Sequence, residues 1–238
     1  VTLPGTATIT VTAPDAATTR IYTVKITEKT APTSQPTVPW PGMSSTGATG
    51  STSSGLLFND NTQSGFIDIS GHWAKDDIEA MAAKGIVSGV TETTLEPDRS
   101  ITRAEFATLI CKALGITAVN FGVFVDVAVE EWYFPYVNAA ASAGLIMGYD
   151  GYFRPDDLIT RQEMAVILSK AYAFRGYAPK TGGIDRFSDK ESIADWAYSS
   201  VDTAATAGLI FGLTQDTFGP SEYTTRAQAV SVLKRLLD

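Results

Sequence analysis

Three segments of the chain share one pattern of apolar positions. Counting from Thr102, Thr160 and Thr225, apolar side chains recur at the fourth, seventh, eighth, eleventh and twelfth following positions. Steps of three or four residues place these side chains along one stripe of an α-helix. Each segment is therefore predicted to form an amphipathic helix that begins directly after its threonine.

The start of each predicted helix carries a capping box, because an acid or amide follows three residues after the threonine (Glu105, Glu163 and Gln228). Its two side chains satisfy backbone N–H groups that the first turn leaves unpaired. An arginine follows each threonine: Arg103, Arg161 and Arg226. A cation at this position opposes the helix dipole, at a cost of about 0.3–1 kcal/mol where it is exposed. Three such arginines indicate a compensating anion, either in the protein or in a ligand.

A second, shorter helix is predicted upstream of each capped helix. It follows a tryptophan (Trp73, Trp132 or Trp196) and ends twelve residues later at a glycine (Gly85, Gly144 or Gly208). Glycine suits the left-handed residue that closes a helix. A further glycine comes four residues on, at Gly89, Gly148 and Gly212, and a proline follows before the capped helix. Each repeat therefore reads as helix, glycine-bounded connector, proline turn and capped helix.

The region before the repeats has a different character. Apolar residues alternate with threonine over residues 6–13 and 20–27, which predicts a β-hairpin. Residues 31–65 are rich in Pro, Thr, Ser and Gly and are predicted to be a linker. The predicted organisation is a β-hairpin in 1–30, a linker in 31–65 and three repeats in 66–120, 121–183 and 184–238. Because Val1 lies inside a strand-like pattern, we expect further chain upstream.

Composition narrows the possible partners. The chain has 44% hydrophobic and 18% charged residues and a net charge of −8. This charge argues against nucleic acid or an anionic membrane surface as a general partner. No apolar run is long enough for a transmembrane helix. The single cysteine, Cys111, lies beside an apolar stripe and is interpreted as a buried, inert thiol.

The sequence offers little for catalysis or metal binding. His72 is the only histidine, so no multi-histidine metal site is predicted. Asp76, Asp77 and Glu79 are interpreted as solvated helix surface, because nothing supplies the facing carboxylates of a glycosidase. No cofactor and no metal are expected.

The order of these elements resembles the surface-layer homology (SLH) domain. The motifs are F-x-D at Phe66, Phe124 and Phe187, the tryptophans, the paired glycines, and T-R-[AQ]-[EQ]. The resemblance covers residues 66–238 and implies a mainly α-helical, pseudo-threefold spindle of three repeats. It also implies grooves between the repeats that bind secondary cell-wall polysaccharide, typically bearing pyruvylated N-acetylmannosamine. The hairpin resembles the last two strands of a cadherin-like or immunoglobulin-like β-sandwich.

Candidate site residues come from the residues and the resemblance together. The three arginines are expected either to bind a sugar carboxylate beside the helix N-termini or to pair with Asp68, Asp126 and Asp189. Those aspartates are expected mainly to cap helices or pair with arginine. The tryptophans are expected either to stack on sugar rings or to plug the lobes. The second glycines (Gly89, Gly148, Gly212) complete the predicted carbohydrate site. The third repeat departs most from the pattern, which argues against binding by that repeat: Gln228 replaces an acid, residues 190–195 lengthen the step from Asp189 to Trp196, and Leu213 follows the second glycine.

The sequence therefore predicts a secreted, non-enzymatic module that anchors a protein to the Gram-positive cell wall through polysaccharide. Any catalytic domain would lie upstream of Val1. The alternative is a structural module that self-assembles into a surface lattice through protein–protein contacts.

Overall fold

A computed structural model describes the backbone of residues 5–12 and 19–26 and all of residues 65–238. The chain divides into two units, Val1–Val38 and Pro39–Asp238. In the first, strands β1 (Gly5–Thr12) and β2 (Thr19–Ile26) pair antiparallel, with Gly5 opposite Ile26. This confirms the hairpin, whereas its assignment to a β-sandwich remains a prediction. The predicted linker falls outside the described residues, apart from Gly65.

The described part of the second unit, residues 65–238, is mainly helical, as predicted. Each repeat contributes one helix upstream of its capped helix. In the third repeat this upstream helix begins at Asp195, one residue before Trp196 and not after it as predicted, and its 12 residues equal the length of the capped helix. In chain order the helices are α1 (Lys75–Ala83), α2 (Arg103–Ala113), α3 (Phe134–Ser142), α4 (Arg161–Phe174), α5 (Asp195–Thr206) and α6 (Arg226–Leu237). Two 3-10 turns, Ile67–Ile69 and Lys190–Ser192, lie near the starts of the first and third repeats.

Local sequence signals set the ends of these helices. All three capping boxes form: the side chains of Thr102, Thr160 and Thr225 accept hydrogen bonds from the N–H three residues on, and the acid or amide there bonds back. The glycines after the upstream helices are left-handed, with φ of 68° at Gly85 and 73° at Gly144. A side chain is strained in that conformation, which explains the choice of glycine.

The helices pack in a cyclic order. The capped helix of each repeat contacts the upstream helix of the next: α2 packs on α3, α4 on α5, and α6 returns to α1. Side chains at the inner position of each upstream helix (Ile78, Val137 and Val201) are fully buried. The last repeat therefore completes the core of the first, and the three repeats share one hydrophobic core.

Backbone hydrogen bonds close the same cycle between the residues that precede the capping threonines. Ile101 N–H donates to Thr224 O over 2.9 Å, Thr224 N–H donates to Ile159 O over 3.0 Å, and Ile159 N–H donates to Ile101 O over 3.1 Å. All three residues have no exposed surface. Each N–H and C=O of this buried triangle is thus satisfied only when all three repeats are present.

Cys111 lies at the α2–α3 contact. Its thiol is buried and donates to Tyr136 O at 3.3 Å. Burial raises the pKa of the Cys111 thiol from 9.0 to about 12, so the sulfur stays neutral at physiological pH. A neutral, buried thiol agrees with the inert role predicted for it.

None of the helices described in residues 65–238 is suited to span a membrane. Even α4, with 14 residues, falls short of a bilayer, and none of the helices in residues 65–238 combines the length and apolarity of a spanning segment.

The cyclic packing predicts that the repeats fold only together. Deleting residues 184–238 removes α6 from α1 and breaks two bonds of the buried triangle. We expect the shortened chain to lose its cooperative thermal transition, measured by circular dichroism at 222 nm. Deleting residues 1–38, a separate unit, should leave that transition in place. A sharp transition in the first deletion would contradict the shared core.

Candidate functional site

The repeat arginines join neighbouring repeats. Arg103, from the first repeat, donates through Nε to Phe153 O at 3.0 Å and through Nη2 to Met147 O at 3.1 Å, both in the second repeat. Its Nη1 donates to Glu163 Oε1 at 3.2 Å. The acid that caps one helix therefore also neutralises the arginine of the preceding repeat.

The same arrangement recurs around the cycle. Arg161 donates to Phe218 O and Phe211 O of the third repeat. Arg226 donates to Leu95 O and Ser88 O of the first repeat, and to Glu105 Oε1 at 3.4 Å. Arg161 and Arg226 are 3% and 1% exposed. The compensating groups for these cations are thus in the protein, mainly carbonyl oxygens.

The helix N-termini, beside which a sugar carboxylate is expected from the sequence, use their N–H groups in the same contact between repeats. Arg103 N–H donates to Asp157 O and Ala104 N–H to Pro155 O, both in the following repeat. Equivalent bonds begin α4 and α6, from Arg161 to Glu222 O and from Arg226 to Arg99 O. With the third N–H bonded to the capping threonine, these first-turn donors are already occupied.

Within residues 65–238, the repeat aspartates do not form ion pairs with these arginines. Each carboxylate instead accepts two adjacent backbone N–H groups of the turn in its own repeat. Asp126 accepts from Phe153 N at 2.8 Å and Arg154 N at 2.7 Å. Asp68 and Asp189 bond the equivalent turns at Leu95–Glu96 and Phe218–Gly219. The aspartates therefore cap turns of the chain, and the expected helix caps are absent.

An aspartate and an arginine bond the two backbone polar groups of the same residue, Phe153. The N–H of Phe153 donates to Asp126, while its carbonyl accepts from Arg103. The next residue, Arg154, has a left-handed backbone with φ of 59°. A non-glycine residue in that conformation is uncommon, and here two charged side chains hold it. The turn that receives the neighbouring helix is thus fixed from both faces.

Burial also affects the titration of two arginines. Desolvation lowers the pKa of Arg161 to about 10, partly offset by Asp189 and Glu222. Desolvation likewise lowers the pKa of Arg226 to about 10, against the opposing effect of Glu105. Both guanidinium groups remain protonated at neutral pH.

The second glycines are sites of close packing. A Cβ atom on Gly148 would collide with Tyr152 O and lie 2.6 Å from Phe124 Cε1. On Gly212 it would lie 2.5 Å from Thr217 O and 2.8 Å from Phe187 Cε1. Gly89 meets the same obstruction from Phe66. These glycines let the connector approach the phenylalanine of the F-x-D motif.

Open space lies beside the arginine contacts. A cavity of about 490 Å³, here called the repeat-2 groove, is bounded by Arg103 of the first repeat and Trp196 of the third. Between them, the second repeat supplies its connector, the loop at Tyr149–Tyr152 and the outer face of α4. Trp196 is 60% exposed and Tyr149 81% exposed. Aromatic faces from two repeats therefore line an open cleft.

A second cavity of about 240 Å³, the repeat-3 groove, has the equivalent place one repeat further on. Arg161 and Trp73 bound it, and the third repeat supplies Phe211, Gln228 and Arg235 among other residues. Trp73 is 62% exposed. Each groove thus takes its arginine from the preceding repeat and its tryptophan from the following one.

The tryptophans divide between the two alternatives left open by the sequence. Trp73 and Trp196 are exposed in grooves, so they do not plug the lobes. Trp132 is half-buried and meets the Tyr133 ring edge-on, with centroids 5.2 Å apart. Trp132 lines neither of the two grooves.

Sequence reasoning missed a second basic residue that follows each capping threonine by ten positions. These residues are Lys112, Lys170 and Arg235. Lys170 and Arg235 line the two grooves. Arg235 lies 4.5 Å above the Phe211 ring and donates to Leu209 O. The signal was visible, since a basic residue recurs at the same helix position in all three repeats.

The remaining candidates stay outside the grooves. Asp76, Asp77 and Glu79 belong to α1 and line neither cavity. His72 contacts Asp98 at 3.2 Å and accepts from Ala74 N. In residues 65–238 no three His, Cys, Asp or Glu side chains converge as a metal site would require.

The fold and its inter-repeat grooves define a three-repeat helical binding module. The model of the S-layer homology domain family matches residues 65–107, 124–165 and 186–230. The chain therefore belongs to the S-layer homology domain family. Membership indicates a secreted protein of the cell surface or cell wall, and a non-catalytic domain for anchoring there.

Curated relatives carry this domain as a minor part of their length. The chain is 41% identical to exoglucanase XynX of Acetivibrio thermocellus over 73% of this chain and 16% of that protein. It is 41% identical to amylopullulanase of Thermoanaerobacterium thermosulfurigenes over 73% of this chain and 9% of that protein. It is 30% identical to an S-layer protein of Bacillus thuringiensis subsp. finitimus, over 69% of this chain and 20% of that protein.

The aspartate caps generate a stability prediction. Asp189→Ala leaves the N–H groups of Phe218 and Gly219 without their acceptor, so unfolding free energy should fall by about 1–3 kcal/mol. Urea unfolding followed by circular dichroism measures the change. Asp185→Ala, which removes an exposed carboxylate that contacts Lys190, is the matched control and should leave the midpoint unchanged. Equal effects of the two substitutions would contradict the capping role.

Proposed function

We propose that this chain anchors its protein to the cell wall by binding an acidic secondary cell-wall polysaccharide in the inter-repeat grooves. Pyruvylated N-acetylmannosamine is the proposed recognition unit. The observation that carries the proposal is the repeat-2 groove, where exposed aromatic rings and basic side chains from three repeats face one cavity.

The aromatic rings suit a sugar. Trp196, Tyr149 and Tyr152 are 60%, 81% and 51% exposed, and all three line the repeat-2 groove. An aromatic face packs against the C–H groups of a pyranose ring while its polar tip reaches a hydroxyl. Large exposed rings gathered in one cleft favour a binding surface over ordinary solvent exposure.

The basic residues suit an acid carried by that sugar. Lys170 lines the groove and has no hydrogen bond or ion pair within residues 65–238. Arg103 lies in the same cavity, although its donors already serve Phe153 O, Met147 O and Glu163. On a chain of net charge −8, local cations must supply the attraction for an anion. Lys170 is therefore proposed as the principal contact of the ketal carboxylate in this groove.

The volume is compatible with this role. About 490 Å³ lies within the usual range of roughly 300–1,000 Å³ for small-molecule sites. The groove is partly open to solvent, so a sugar that occupies it can stay linked to a longer polymer.

The proposal is tested by calorimetry with purified pyruvylated wall polymer. Trp196→Ala should weaken binding about tenfold, because it removes one stacking face. Lys170→Ala should weaken binding to the intact polymer but not to polymer whose pyruvate ketals have been removed by mild acid. These substitutions are cleaner than changes at Arg103 or Arg161, which also hold the repeats together.

Phe174→Ala is the matched control for these substitutions. Phe174 is 53% exposed and lines neither groove, so its loss should leave polymer binding unchanged. Wild-type affinity in both groove variants would overturn the proposed role of the repeat-2 groove, and a wild-type chain that does not bind the polymer would overturn the proposed function.

The surface-lattice alternative makes a different prediction. An anchor should sediment as a monomer until polymer is added, whereas a lattice module should self-associate without it. Analytical ultracentrifugation of the full chain over a wide concentration range, with and without polymer, distinguishes the two. Concentration-dependent assembly in the absence of polymer would favour the lattice module.

A further inference from the structure

The three repeats differ at the capping residue that faces the arginine of the preceding repeat. In the first repeat Glu105 accepts from Arg226, and in the second Glu163 accepts from Arg103. The third repeat has Gln228 at the same capping position. Its Oε1 still accepts from Thr225 N at 3.3 Å, so the cap is kept while the charge is lost.

Arg161, which enters this groove, consequently makes no ion pair within residues 65–238. Its Nε and Nη2 donate to the carbonyls of Phe218 and Phe211, but its Nη1 has no carboxylate such as Arg103 and Arg226 find. Asp189 acts on Arg161 only through its field, because its two oxygens accept from Phe218 N and Gly219 N. Glu222 is exposed and also acts only at a distance.

The rest of the repeat-3 groove is also short of an anion. Two arginines, Arg161 and Arg235, line it, and no acidic side chain does. Ser231 lines the same cavity, is 1% exposed, and its hydroxyl has no hydrogen-bond partner within the described part of the chain. A buried hydroxyl without a partner costs stability, and a bound oxygen would satisfy it. The repeat-2 groove, in contrast, has Val166 at the serine's position and contains Asp157 and Glu163.

We propose that the repeat-3 groove is a charge-selective subsite for the carboxylate of an acidic sugar, and that Gln228 is the residue that determines its selectivity. Arg161 and Arg235 supply the charge, Ser231 supplies a neutral donor, and Trp73 supplies the stacking face. This inference rests on the proposed function and extends it. Gln228, one of the departures that argued against binding by the third repeat on the sequence, becomes the reason for binding of an acid.

The physical basis is competition for one guanidinium group. A glutamate at the capping position forms an internal ion pair with the incoming arginine, and a ligand carboxylate must then share that cation. Glutamine keeps the capping hydrogen bond but leaves the cation to the ligand. Because the Arg161 side chain is almost entirely buried, solvent screens this difference weakly. The effect should therefore appear for a charged ligand and vanish for a neutral one of equal size.

The experiment is a nuclear magnetic resonance titration of the full chain with two probes. The first is the methyl glycoside of pyruvylated N-acetylmannosamine, and the second is the methyl ester of its ketal carboxylate. The chain has four tryptophans, and each indole N–H gives one resonance. The Trp73 resonance reports the repeat-3 groove and the Trp196 resonance reports the repeat-2 groove, so each affinity is measured separately.

Gln228→Glu recreates the capping box of the other two repeats, so the variant should keep its fold. We expect the affinity of the acid at Trp73 to fall about tenfold, with no change for the ester and no change at Trp196. Gln162→Glu adds the same charge at the start of α4 but lines neither groove. This matched control should leave the Trp73 titration unaltered.

The outcomes separate this inference from the proposed function. An acid that shifts Trp196 but not Trp73, or an unchanged Trp73 affinity in Gln228→Glu, overturns the inference alone. An equal loss in Gln162→Glu also overturns it, because net charge would then explain the effect. No response at either tryptophan in the wild-type chain overturns the proposed function as well.

Discussion

The start of each capped helix is completed by the turn of the next repeat, and the rest of the domain depends on that contact. Two backbone N–H groups at the start of α2 and the side chain of Arg103 all donate to carbonyls in residues 147–157. A helix start leaves such donors unpaired and carries a partial positive charge. The carbonyl-rich turn supplies both acceptors and negative potential. The arginine is therefore tolerated because further carbonyls of the same neighbouring repeat accept its side-chain donors.

Since the same contact closes from the third repeat to the first, no repeat is complete alone. Removing any one leaves a helix start without acceptors and opens the buried triangle at Ile101, Ile159 and Thr224. The closure also creates the grooves. Each cavity lies where an arginine from the preceding repeat and a tryptophan from the following one flank a connector. The contact between neighbouring repeats thus creates both the shared core and the grooves. A small change such as Gln228 alters the charge of one groove but keeps the capping hydrogen bond of the fold.

Much of the local structure was predictable because short-range rules decide it. Capping boxes located the first residues of α2, α4 and α6, and glycines such as Gly85 marked the turns that close the upstream helices. The candidate site was less accessible. Arg103 was correctly identified as needing an anion, but its acceptors lie in another repeat. The sequence shows a basic residue ten positions after each capping threonine. Only the structure shows that one of them, Lys170, lines the same groove as Trp196.

By itself the sequence determined the three-repeat organisation, the starts of the capped helices and the family, because periodicity and capping act within a few residues of the chain. Only the tertiary structure decided the partners of the charged groups. Asp126 and Arg103 hold opposite sides of Phe153, although they lie in different repeats. Such contacts join residues tens of positions apart, and which acceptor a buried cation finds depends on how the repeats close on one another.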